Sequence, residues 1–219
     1  VNTDITYPEL NRNPRILLGP GPSMVHPRVT SAMTAPMIGH LDPCFLQLMD
    51  KTQELLRYVF QTKNRVTIPI SGTGSAGMEA SLANFIEDGT PVLVCTNGFF
   101  GNRLVEMAER YRADLSVLRC PWGKAFTLDE IAEELKRKPA KVVAIVHAET
   151  STGVLQPLEG LADIVHDQGG ILVVDAVTSL TGINIPVDEL GIDVCYSGTQ
   201  KCLGVPPGLA PFTVSERAI

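Results

Sequence analysis

The chain has 219 residues, 44% hydrophobic and 19% charged, which is the make-up of a globular protein with one sizeable core. A net charge of −6 argues against a nucleic-acid surface or an anionic membrane as partner, while leaving room for a local site for a small anion. Cys44, Cys95, Cys120, Cys195 and Cys202 share no zinc or redox spacing, no apolar run reaches the length of a membrane span, and neither terminus reads as a targeting segment. These features predict reduced cysteines, most of them buried, in a cytoplasmic protein.

Residues 1–18 are irregular and end in Ile16-Leu17-Leu18, and Gly19-Pro20-Gly21-Pro22 then imposes a fixed non-helical turn. Over 43–60, Phe45, Leu46, Met49, Leu55, Leu56, Val59 and Phe60 recur at helical spacing behind Asp42-Pro43, a cap followed by a first-turn proline. From there on, short apolar runs at 66–70, 91–96, 115–118, 142–146, 171–174, 193–196 and 210–214 predict seven strands. Helical patterns at about 76–87, 101–112, 128–137 and 159–167 lie between them, the third opening on the capping box of Thr127 and Glu130. The alternation predicts an α/β chain, with a mainly parallel seven-stranded sheet and helices on both faces. Such sheets bind ligands at the carboxyl ends of their strands.

Five strand ends carry candidate chemistry. Ser71-Gly72-Thr73-Gly74-Ser75 leads into a helix, so it is either a phosphate cup of amides and hydroxyls or a tight connection. Phe99-Phe100 between Gly98 and Gly101 offers a ring to stack on a planar ligand, or else anchors the next helix. The hydroxyls of Thr150, Ser151 and Thr152 could reach a phenolic oxygen or belong to an ordinary turn. Asp175 directly ends an apolar strand and needs a partner, for which a protonated pyridine nitrogen or a local backbone amide would serve. Lys201 closes Ser197-Gly198-Thr199-Gln200-Lys201, offering an amine from a strand end for a Schiff base with an aldehyde. Together these are the groups that pyridoxal 5'-phosphate needs. No metal-ligand cluster appears, and His26, His40 and His166 read as packing, capping or surface residues.

Gly19-Pro20-Gly21-Pro22, Gly39-His40, Tyr58-Val59-Phe60-Gln61-Thr62, Glu149-Thr150-Ser151-Thr152-Gly153-Val154-Leu155-Gln156-Pro157-Leu158 and Tyr196-Ser197-Gly198-Thr199-Gln200-Lys201 carry a resemblance from about Leu17 to the last residue. In these segments the chain resembles the class V branch of the fold-type-I pyridoxal-phosphate enzymes, and within it the alanine–glyoxylate (serine–pyruvate) aminotransferases. The resemblance implies that Lys201 holds the cofactor and moves the substrate's α proton. It implies Asp175 at the pyridine nitrogen, with Val177 on one ring face and Phe100 on the other. Thr73, Gly74, Ser75 and Gln200 would hold the phosphate, and Thr150 the phenolic oxygen. Backbone around Gly21 would help to seat the substrate carboxylate. His147 matches no catalytic role in the family, and Cys202, where the family has small residues, is expected to be packed.

The implied organisation is an arm and turn into the active site over residues 1–22 and a cofactor-binding large domain over 23–219. The family's smaller C-terminal domain, with its carboxylate-binding arginine, is expected to be missing, so the chain alone would turn over poorly. The implied activity moves an amino group from a small amino acid, alanine or serine, to a 2-oxo acid, glyoxylate or pyruvate, in a homodimer. The alternatives are a cysteine desulfurase-like lyase, an aminoethylphosphonate, ureidoglycine or hydroxykynurenine transaminase, or a non-catalytic cofactor-binding fragment.

Overall fold

The protein is described by a computed structural model over residues 15–219, so the first 14 residues of the expected arm lie outside the described residues. Two helices come first, α1 (Pro27–Ala32) and α2 (Pro43–Phe60), followed by β1 (Val66–Ser71) and α3 (Gly74–Ala83). The alternation continues through β2 (Pro91–Thr96), α4 (Phe99–Arg110), β3 (Asp114–Arg119), α5 (Leu128–Arg137) and β4 (Val142–Val146). A two-stranded hairpin, β5 (Ala148–Glu149) with β6 (Val154–Leu155), precedes α6 (Leu161–Asp167), β7 (Ile171–Asp175), β8 (Val194–Tyr196) and β9 (Leu209–Val214).

The main sheet has the order β1-β9-β8-β7-β4-β2-β3. Only β9 runs against its neighbours, β1 and β8, and every other pairing is parallel. Strand periodicity divides the core into two layers. On β4, Val143 and Ile145 pack with Phe60, Ile131 and Leu161 on one face. Val142, Ala144 and Val146 pack with Met78, Leu82 and Leu104 on the other. Burial on both faces is why β2, β4 and β7 read as unbroken apolar runs, each large side chain contributing about 1.5–3 kcal/mol.

Caps fix the helix starts. Asp42 Oδ1 accepts the Cys44 amide at 2.8 Å ahead of Pro43, and Thr127 and Glu130 cap α5 reciprocally. α3 and α4 begin two residues earlier than their apolar spacing predicts: Gly74 is buried but has no side chain to mark the stripe, and the Phe99 side chain is exposed. The cysteine expectation is corrected: Cys95 and Cys195 are buried, but Cys120 is only partly covered, and Cys44 in the first turn of α2 and Cys202 on a loop are exposed. Among the described residues no helix is long and apolar enough to cross a membrane.

Candidate active site

The carboxyl ends of β1, β2, β7 and β8 converge on a cavity of about 130 Å³, lined by Thr73, Gly74, Ser75, Met78, Phe100, Asp175, Val177, Gln200 and Lys201. Eight of these nine were expected from sequence, and Met78 was not. At one wall, α3 presents its N-terminus. Thr73 is the N-cap but its side chain makes no capping bond, and the first-turn amides of Gly74 and Ser75 have no acceptor within the helix. Gln200 Oε1 is buried beside them with no hydrogen-bond partner. A buried carbonyl oxygen without a partner costs stability, and the same side-chain amide turned over offers two N–H donors in its place. Unsatisfied donors at a helix N-terminus fit a phosphate group.

Asp175 is 3% exposed. Its Oδ1 accepts the Val177 amide at 2.9 Å, and its Oδ2 accepts the Tyr196 hydroxyl at 2.8 Å. Burial pushes the carboxyl up to about 6, against the pull of these two hydrogen bonds and of the Lys201 ammonium. Two donors leave the carboxylate with free lone pairs, so it can accept one more from a ring N–H.

Lys201 leaves the loop after β8, and its Nζ donates to Pro20 O at 2.9 Å. The expected turn is folded against it. Ser23 donates from its amide to Gln200 O at 2.7 Å and from its hydroxyl to Lys201 O at 2.7 Å. Gly21 has φ +122°, and a Cβ there would lie 2.5 Å from Lys201 Cδ and 2.7 Å from Nζ. Only glycine combines that backbone with that proximity.

Thr150 stands apart from the others. It lines an adjoining cleft of about 370 Å³ with Pro20, Leu155, Thr178, Gly182 and Cys202, and its hydroxyl bonds that of Thr178. Cys202 is exposed there rather than packed, its thiol donating to Thr178 O at 3.3 Å. The neighbouring Glu149 is buried and accepts the amides of Phe100 and Gly101 at 3.0 and 3.1 Å, which ties α4 to the β5–β6 loop. The histidines serve locally. His26 Nδ1 caps α1 by accepting the Arg28 amide, His40 is exposed, and His166 bonds Asp193 at 2.7 Å. His147 is buried against Ser179, and its pKa is lowered by that burial.

Tyr196, Glu149, Thr178 and Ser23 have no local sequence signal for these contacts. Tyr196 alone had an indirect one, because it pairs in register with Asp175 once β7 and β8 are known to be neighbours.

The family described as aminotransferase class-V matches over residues 19–219. An (S)-ureidoglycine–glyoxylate transaminase of Bacillus subtilis is 46% identical over 93% of this chain and 49% of its own length. An alanine–glyoxylate aminotransferase of Rattus norvegicus is 43% identical over the same shares. The crystal structure of an alanine–glyoxylate aminotransferase from Nostoc sp. superposes with a TM-score of 0.96 and 51% identity, covering 99% of this chain and 58% of that one. The chain thus spans about half the length of the curated relatives it matches.

Proposed function

The chain belongs to the class-V aminotransferase family, and we propose that its cavity is the pyridoxal-phosphate site of an enzyme that passes an amino group from alanine or serine to glyoxylate or pyruvate. The observation that carries this reading is the meeting of a lysine amine, a buried carboxylate, an aromatic ring and an unpartnered glutamine around one cavity. When bound, pyridoxal phosphate supplies an aldehyde for attachment and a ring that takes up the electron pair left when the substrate's α C–H bond breaks.

The chain's own residues do the rest. Lys201 Nζ is the attachment amine and, once free, the base that holds the proton lost from the substrate's α carbon. Asp175, with its two fixed donors, accepts the ring N–H and keeps that nitrogen protonated. Phe100 and Val177 exclude water from the two ring faces, and Thr150, in the adjoining cleft and accepting from Thr178, has its hydroxyl proton left to donate to the phenolic oxygen. Thr73, Gly74, Ser75 and Gln200 bind the phosphate, and the backbone at Gly21 orients the substrate carboxylate. In this reading residues 1–22 lead into the site, 23–219 form the cofactor-binding large domain, and the working unit is a cytoplasmic homodimer. The five free thiols support a reducing compartment.

The identity with the Bacillus relative favours a second reading of the donor, (S)-ureidoglycine with glyoxylate as acceptor. The test of the site is borohydride reduction of the chain mixed with pyridoxal phosphate, followed by peptide mass spectrometry. A phosphopyridoxyl group on Lys201 supports it; label spread over Lys51, Lys63 and Lys124 without preference for Lys201 overturns it. The donor is then decided by which of alanine, serine and ureidoglycine bleaches the visible band fastest.

A further inference from the structure

α4 carries Phe100, yet its N-cap is Gly98, which has no side chain to offer. The first three amides of the helix are met instead by a loop about fifty residues away. The Phe99 amide donates to Ser151 Oγ at 2.9 Å, and the amides of Phe100 and Gly101 donate to Glu149 Oε2 at 3.0 and 3.1 Å. The other carboxylate oxygen, Glu149 Oε1, accepts the Ser151 amide at 3.1 Å and the Ser151 hydroxyl at 2.7 Å.

Glu149 is 1% exposed, and no lysine or arginine pairs with it among the described residues. Its charge is carried by four donors and the positive end of α4. The approach is so close that a Cβ on Gly98 would sit 2.3 Å from Glu149 Cγ and 2.7 Å from Ser151 Oγ. A serine or aspartate at 98 would cap α4 locally in the ordinary way. A glycine there admits a cap from another strand end, and that cap joins two loops.

The residue between the two capping side chains is Thr150. We propose that Glu149 and Ser151 are positioning residues, a clamp that fixes Phe100 on α4 and Thr150 on the β5–β6 loop relative to each other before any cofactor binds. This inference rests on the roles proposed above for Phe100 and Thr150. It adds that the ring site is preorganised by a buried carboxylate that touches neither cofactor nor substrate, so the cofactor does not have to order that wall itself.

The test compares the wild-type chain with Glu149→Gln, Phe100→Ala and the double variant. The carboxamide introduced by Glu149→Gln keeps one acceptor oxygen, so its NH2 must face either the Phe100 and Gly101 amides or the Ser151 amide, each of which needs an acceptor. In the cofactor-free chain, hydrogen exchange on one side of the clamp, at Phe100 and Gly101 or at Ser151, should quicken at least about tenfold while the last turn of α4 is unchanged. Unaltered exchange at all three of these amides overturns the clamp. For the cofactor, Glu149→Gln should weaken uptake about tenfold and change the visible circular dichroism of the bound ring. In the Phe100→Ala background the same substitution should add less than about threefold, because the part of its effect transmitted by the ring is already lost and only the part acting through Thr150 remains. Full additivity overturns the positioning role and leaves Glu149 a mere cap. Should Glu149→Gln fail to fold, Ser151→Ala removes the acceptor of the Phe99 amide and one of the four donors to Glu149, leaves the carboxylate on the Phe100 and Gly101 amides, and carries the same comparison. A wild-type chain that takes up no cofactor at Lys201 overturns the functional reading, while the exchange rates still decide the clamp.

Discussion

Tyr196 and Asp175 lie opposite each other on β8 and β7, and the tyrosine hydroxyl donates a 2.8 Å hydrogen bond to Asp175 Oδ2 inside the core. Both side chains are almost wholly buried. A carboxylate in such a place is expensive to keep charged, and the hydroxyl is one of two donors that hold it ready. The cofactor-free fold therefore bears an electrostatic penalty that a cationic ring nitrogen would relieve. Stability is given up at the site where binding recovers it.

That penalty has a pH dependence of definite sign. Burial raises the Asp175 carboxyl from 3.8 to about 6, so over this interval the folded chain keeps a proton that the unfolded chain has released. Stability of the cofactor-free chain falls as pH rises through the window, by of order 3 kcal/mol in all from this group. Asp175→Asn removes the dependence: it should stabilise the chain at pH 7 and change it little at pH 4, while abolishing tight cofactor uptake. Urea midpoints at the two pH values read this directly, and an Asn variant with the wild-type slope across the window counts against it.

Tyr196→Phe keeps the packing and removes the donor. The Asp175 carboxyl should titrate still higher, and the chain should lose about 1–3 kcal/mol at pH 7. Below about pH 5, where Asp175 is already protonated in the fold, the loss should be smaller. Denaturation of both chains at pH 4.5 and 7 makes the comparison; equal losses at the two pH values would mean that the hydroxyl serves packing and not the carboxylate.

Gly21→Ala places a methyl group 2.5 Å from Lys201 Cδ at a φ of +122°. The strain is about 1–3 kcal/mol, and it is felt at the amine because Pro20 O holds Nζ from the same turn. The variant should take up pyridoxal phosphate at Lys201 at least about tenfold more slowly, with a melting temperature lowered by only a few degrees. An unchanged rate of attachment would separate the turn from the lysine's function.

The sheet was legible because burial on both faces writes strands as continuous apolar runs, and β2 and β4 fall where those runs lie. The lining of the candidate site was legible because Thr73, Phe100, Asp175 and Lys201 lie at the carboxyl end of a strand or within five residues beyond it, and the architecture brings strand ends together. What the sequence leaves out are contacts made across chain distance. The Tyr196 hydroxyl reaches Asp175 over 21 residues, Thr178 reaches Thr150 over 28, and Glu149 reaches the Phe100 amide over 49. No periodicity records such pairs. The β5–β6 hairpin escaped for a related reason, since strands of two residues each are too short to carry a pattern. Cys202 was misjudged because apolar character says nothing about a loop position whose thiol is satisfied by Thr178 O at the surface of a cleft.

Gly98 supplies a test of how closely α4 and the β5–β6 loop are fitted. Its φ of −175° is ordinary extended backbone, so alanine meets no conformational objection. The objection is steric, because the new Cβ would lie 2.3–2.7 Å from Glu149 Cγ, Glu149 Cδ and Ser151 Oγ. Overpacking of this kind costs about 1–3 kcal/mol, paid by pushing the start of α4 away from its acceptors. Glu149→Ala alone should also destabilise, since it strips the Phe100 and Gly101 amides of their partner. The two changes should not add. With Glu149 shortened, two of the three clashing atoms are gone, so Gly98→Ala should cost at least about 1 kcal/mol less in that background than in the wild-type chain. Urea denaturation of the four proteins gives the coupling energy, and a value of zero would mean that α4 settles against the loop without the close approach on which its cap depends.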